Sequence, residues 1–158
     1  MTTWSLNQNN LSNFLKQIGL QPLLERESQL TYINIQVEDH ELPLFFVIRN
    51  NGEILQMICY FPYQLHDEQK GTTARLLHLL NRDLDTPGFG MDEEQGLIFY
   101  RIVVPCLQGQ INETLLHIYI DTIKLVCDSF SNAIGLISSG NMNLDELKKQ
   151  AKKEQKNN

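Results

Sequence analysis

An antiparallel α+β domain is what this sequence predicts. Three successive segments between Leu30 and Phe61 carry strand signals, apolar residues recur at helical spacing on either side of them, and a second hairpin turning near Gly96 leads into a long, almost wholly apolar helical stretch. The expected order is helix, three antiparallel strands, helix, two-strand hairpin and long helix, forming one domain over residues 1–140. Residues 141–158 are expected to form a Lys-rich tail helix, partly flexible.

The first helix rests on Leu11, Phe14, Leu15 and Ile18, with Asn7 or Asn10 available as a cap and Gly19 and Pro22 as stop signals. From Leu30 the period becomes two: Thr31, Ile33, Ile35 and Val37 alternate with Tyr32, Asn34 and Gln36. Leu42–Arg49 and Glu53–Phe61 are the next strands, and Asn50-Asn51-Gly52 between them tolerates the positive φ of a hairpin turn. Asp67–Leu84 returns to helical spacing through Leu76, Leu77, Leu80 and Leu84. Phe89–Met91 and Leu97–Val104 make the second hairpin, and Ile111–Ile137 the long helix. Asn143, with Glu146 three residues on, marks the start of the tail helix.

Composition narrows the function. With 42% apolar and 20% charged residues the chain has the makeup of a folded domain, well away from a disordered one. Its net charge of −6 conceals an asymmetry: Asp145–Asn158 holds five lysines against Asp145, Glu146 and Glu154, a surplus of two, which leaves −8 on the rest. A body of that sign repels phosphate backbones, so no nucleic-acid partner is expected. The longest apolar run, Leu42–Ile48, is seven residues and contains Pro43, against about 20 for a membrane helix, so no membrane insertion is expected. The first ten residues carry no Lys or Arg and no continuous apolar stretch, as a secretion signal would. With three unrelated cysteines, Cys59, Cys106 and Cys127, this points to the cytoplasm.

Residues suited to catalysis are scattered. His40, His66, His78 and His117 share no ligand spacing with one another or with a cysteine, and Asp92-Glu93-Glu94 lacks the alternate-position pattern of a calcium loop. Gly88-Phe89-Gly90 has no Lys-Ser or Lys-Thr after it and enters a strand, so it is a turn and not a phosphate cradle. No catalytic residue, metal or cofactor is expected, and the chain is read as a non-enzyme.

The apolar residues are in surplus. Phe45, Phe46, Val47 and Ile48, then Met57, Ile58, Cys59, Tyr60 and Phe61, make both faces of their strands apolar. Helices one and three can cover one face, which leaves helix two or a second polypeptide for the other.

The span from Asn81 to Arg101 reads Asn-x5-Pro-Gly-Phe-Gly-x-Asp, then Gly96 and Phe99-Tyr100-Arg101. With the element order from Leu11 to Ile137, it resembles the YbjN family, whose fold is similar to the class I chaperones of bacterial type III secretion. The resemblance implies a dimer paired through helix two and nearby strands, and it brings no catalytic residues. Secretion chaperones of that fold hold an extended client segment on apolar patches. The expected function is therefore a non-catalytic, chaperone-like protein-binding module of a bacterial cytoplasm, a homodimer holding an apolar segment of an unidentified protein client. Leu76, Leu77, Leu79 and Leu80 are the candidates for the dimer surface, and Phe45, Val47, Met57 and Cys59 for client binding. Two alternatives stay open: a regulatory or structural subunit with no exchangeable client, and a small-molecule binder or enzyme using a pocket beside the long helix, with His117, Tyr119 or Arg101 as polar groups.

Overall fold

The computed structural model describes Thr2 to Asn158. Two short strands, β1 (Thr3–Ser5) and β2 (Leu23–Leu24), flank helix α1 (Gln8–Gln17). Strands β3 (Thr31–Val37), β4 (His40–Arg49) and β5 (Ile54–Tyr60) are followed by helix α2 (Lys70–Asp83). Strands β6 (Phe89–Asp92), β7 (Leu97–Pro105) and β8 (Gln110–Asn112) then precede the long helix α3 (Glu113–Ser138) and the tail helix α4 (Leu144–Lys156). Six strands form an antiparallel sheet in the order β2-β3-β4-β5-β7-β6, and β1 pairs separately with β8. The major elements stand where the periodicity puts them. At two or three residues each, β1, β2 and β8 are too short to show a period.

Local chemistry explains the boundaries. Asn7 caps α1, its side-chain oxygen accepting from the Asn10 amide at 2.9 Å, and Gly19 leaves the helix at φ +83°. Asn143 and Glu146 form a reciprocal capping box on α4. Between β4 and β5, Asn50, Asn51 and Gly52 take φ of 51°, 54° and 91°. Arg49 faces Ile54, so this connection includes Glu53 and is one residue longer than the spacing suggests.

Alternation gives the sheet two faces. On the inner one lie Ile33, Ile35 and Val37 of β3, Leu42, Leu44 and Phe46 of β4, Leu55, Met57 and Cys59 of β5, and Ile98, Tyr100, Ile102 and Val104 of β7, all buried. Leu11 and Leu15 of α1, Leu76 and Leu77 of α2, and Leu116, Ile120, Ile123 and Cys127 of α3 complete the same core. Helix two thus shares its face with helices one and three. It does not close the other side, as one of the two sequence readings had it, and among the described residues no helix covers the outer face. Of α4, Leu144 joins the core and everything from Lys148 onward is exposed.

The Asn81–Arg101 motif turns out to be a clasp. The Asn81 amide accepts from the Gly88 and Phe89 amides at 3.1 and 2.9 Å and donates to the Phe89 carbonyl at 2.9 Å. Tyr100 donates its hydroxyl to the Thr86 carbonyl at 2.6 Å. Side chains from α2 and β7 thereby pin the loop that leads into β6. Burial pushes the Tyr100 phenol up to about 12. A raised folded value stabilises below the unfolded value, about 10, and that contribution disappears as pH climbs toward 12. Urea unfolding followed from below pH 10 toward pH 12 should show wild-type stability falling by up to a few kcal/mol more than that of Tyr100→Phe, which cannot ionise there.

Candidate protein-binding face

The outer face carries an aromatic ribbon across four strands. Tyr32 and Phe45 have ring centroids 5.2 Å apart, Phe45 and Tyr60 6.0 Å, and Tyr60 and Phe99 6.2 Å. Arg101 places its guanidinium carbon 5.7 Å from the Phe99 centroid, a cation held over a ring. Pairing register explains the alignment: Tyr32 faces Phe45, Phe45 faces Ile58, and Ile58 faces Arg101. Val47 and Val103 flank Gln56 in the next row, with Val103 46% exposed. Gly90 permits the far end of the ribbon, since a β-carbon there would meet the Phe99 ring at 2.7 Å.

A groove of about 280 Å³ opens on this face, floored by Phe45, Val47, Ile58 and Tyr60 and rimmed by Glu25 and Ser28. The rim is ordered locally: the Glu25 carboxylate accepts from the Ser28 amide at 2.6 Å, the Ser28 hydroxyl at 2.5 Å and the Glu27 amide at 3.1 Å. The Ser28 hydroxyl, and then the amides, hold the Glu25 carboxyl below its ordinary value. These bonds support the turn at neutral pH and are lost as pH falls through the carboxylate range.

The sequence candidates separate on this geometry. Phe45 and Val47 lie on the outer face, the second sheet face on which the sequence reading put them. Met57 and Cys59 do not: both point inward and are fully buried, because pairing of Phe45 with Ile58 puts the even-numbered residues of β5 outward. Leu76 and Leu77 are core residues of α2, closed off from a second chain, and Leu79 and Leu80 are half-buried against the same core. Tyr32, Ile58, Tyr60, Phe99 and Val103 belong to the face and were not among the candidates.

The polar groups proposed for a pocket beside the long helix do not converge. His117 is exposed on α3, 3.7 Å from Asp121, whereas Arg101 stands on the opposite side of the sheet. The cysteines are buried. Contact with Cys59, then burial, pushes the Cys127 thiol far up, and burial raises Cys106. A thiol reagent such as dithionitrobenzoate should leave all three unmodified in the native protein and label all three at once in denaturant, because only a thiolate that solvent can reach attacks it. Among the described residues, no group of three or more His, Cys, Asp or Glu side chains could hold a metal ion, and no helix is long and apolar enough to cross a membrane.

Architecture and surface together define a two-layer α+β chain with one apolar sheet face left bare. Over residues 7–136 it matches the family model YbjN, described as "Putative bacterial sensory transduction regulator", and the chain belongs to the YbjN family. The matched span contains the Asn81 clasp and the whole outer face, and stops short of α4. No curated protein matches the chain significantly.

Proposed function

We propose that the chain is a non-catalytic, chaperone-like protein-binding module of the cytoplasm, working as a homodimer that holds an apolar segment of a client protein against the outer face of its sheet. The observation that carries this reading is the bare face: an aromatic ribbon and a groove on a side that no helix covers. The likeness of the element order to type III secretion chaperones agrees with it, as fold-level analogy only. Self-pairing has a separate surface available. With Leu76 and Leu77 interior, the exposed Leu115, Ile118 and Leu125 of α3 supply it, on the helical side.

A photo-reactive residue placed at Val103 or at Leu125 in the bacterial cytoplasm tests this. Adducts of another protein at Val103, with adducts of twice the chain's mass at Leu125, are the expected result. If Val103 yields only self-adducts, the outer face is the dimer surface and the client reading fails. The absence of adducts at both positions removes the binding module altogether. The family description as a regulator favours a second reading, a subunit whose outer face is permanently covered by one partner. In that case a Val103 adduct forms with a single protein that added competitor does not displace.

A further inference from the structure

Between the start of α1, the Asn50–Gly52 turn and the first residue of β3 lies a second hollow, of about 390 Å³. That volume is within the range of small-ligand sites, about 300–1,000 Å³. It is separate from the outer-face groove, with Leu30 lining both. Leu6, Leu11, Phe46 and Ile48 give it apolar walls, and its polar lining comes from amides and one hydroxyl: Asn7, Gln8, Gln29, Asn51 and Thr31. No ionisable side chain lines it. The walls are held in place, because a β-carbon on Gly52 would stand 2.6 Å from the Leu6 carbonyl oxygen.

Two of its polar groups keep hydrogen-bonding capacity that the protein does not use, one on the buried Thr31 and one on the exposed Gln8. Thr31 is 4% exposed, and its hydroxyl accepts from Gln8 Nε2 at 3.3 Å. Gln8 Nε2 also donates to the Gln29 carbonyl at 2.8 Å. Among the described residues, the Thr31 hydroxyl hydrogen has no acceptor and Gln8 Oε1 no donor. Asn7, by contrast, is engaged at both ends of its amide, accepting from the Asn10 amide at 2.9 Å and donating to the Ser5 carbonyl at 3.2 Å. A buried hydroxyl without an acceptor forfeits hydrogen-bond energy that a fitting ligand recovers.

We propose that this cavity binds a small uncharged carboxamide with an apolar body, its carbonyl accepting from Thr31 Oγ1 and its N–H donating to Gln8 Oε1. A neighbouring donor and acceptor match the two edges of one amide. An ionised head would enter a hollow with no counter-charge and lose its hydration uncompensated. The apolar body lies on Leu6, Leu11 and Ile48. This reading does not depend on what occupies the outer face.

Hexanamide, titrated into the full-length protein and followed by methyl NMR, is the test. Saturable shifts centred on the Leu6, Leu11 and Ile48 methyls are expected, with hexanoate and hexylammonium binding at least about tenfold more weakly. Thr31→Val should weaken hexanamide about five- to tenfold and Thr31→Ser restore it, since only the hydroxyl is at issue. The proposal is overturned if wild-type protein shows no saturable shift at millimolar hexanamide, if hexanoate binds equally well, or if Thr31→Val binds unchanged. Should Thr31→Val fail to fold, the three probes against wild-type protein decide alone.

Discussion

Gly88→Ala is expected to destroy the native fold at growth temperature. A β-carbon at this position would lie 2.0 Å from the Arg101 carbonyl oxygen and 3.1 Å from its carbon. Both are backbone atoms of a strand paired on both sides, so nothing can swing away to make room. The Arg101 amide also donates to the Gly88 carbonyl at 2.9 Å, so opening the gap breaks that bond and strains the Asn81 clasp alongside it. Overpacking of a rigid site costs about 1–3 kcal/mol where side chains can adjust. With backbone on both sides and hydrogen bonds lost as well, the penalty should exceed about 4 kcal/mol, much of a typical domain's stability. Gly71→Ala is the matched control: its β-carbon meets nothing within 4 Å, and in α2 it should stabilise by a few tenths to about 1 kcal/mol. Thermal melts of the two variants should move in opposite directions.

Leu76→Asp should be nearly as damaging, and for a reason that bears on how binding experiments are interpreted. Leu76 is 3% exposed, inside the core that α2 shares with α3 and the sheet. Truncating such a leucine costs about 2–5 kcal/mol before any charge is considered, and an unpaired buried carboxylate adds several more or forces its own protonation. Near-UV circular dichroism should show loss of tertiary packing in Leu76→Asp and its retention in Val103→Asp, where the side chain stands on the sheet surface. If Leu76→Asp keeps a wild-type spectrum and melting temperature, the packing of α2 described above is wrong. A partner lost on Leu76→Asp therefore reports unfolding, whereas one lost on Val103→Asp reports a surface.

Much of the fold was legible because its elements are long and strongly patterned. Leu116, Ile120, Ile123 and Cys127 recur at helical spacing on α3, and Ile33, Ile35 and Val37 alternate on β3. What a one-dimensional pattern left ambiguous was strand phase in β4 and β5, where residues on both faces are apolar. Carrying parity through the hairpins lifts the ambiguity in β4 and misleads in β5. Val37 faces His40 across the first turn, so inward odd residues of β3 imply inward even residues of β4. Across the second, the three-residue turn that the spacing suggests would pair Arg49 with Glu53 and send Met57 and Cys59 outward; Arg49 in fact faces Ile54, which makes them inward and Ile58 and Tyr60 outward. The placement of α2 was not accessible in this way. Its leucines fit a core or an interface equally well, and only the clasp by Asn81 and the packing of Leu76 and Leu77 put it beside α3. The hollow at the start of α1 was likewise invisible, since it joins residues from Leu6 to Gly52 whose sequence carries no motif.

The clasp also says what kind of information the most recognisable stretch of this chain conveys. Asn81 locks a loop, Pro87 and Gly88 bring it against β7, and Gly90 makes room for a ring. These residues are occupied in reversing the chain between α2 and β6, while Phe99 and Arg101, at the end of the same signature, stand on the outer face. Two proteins that share its Asn81–Gly90 part are therefore alike in how they are built and free to differ in what they hold. A name passed between them on its strength travels with the scaffold alone.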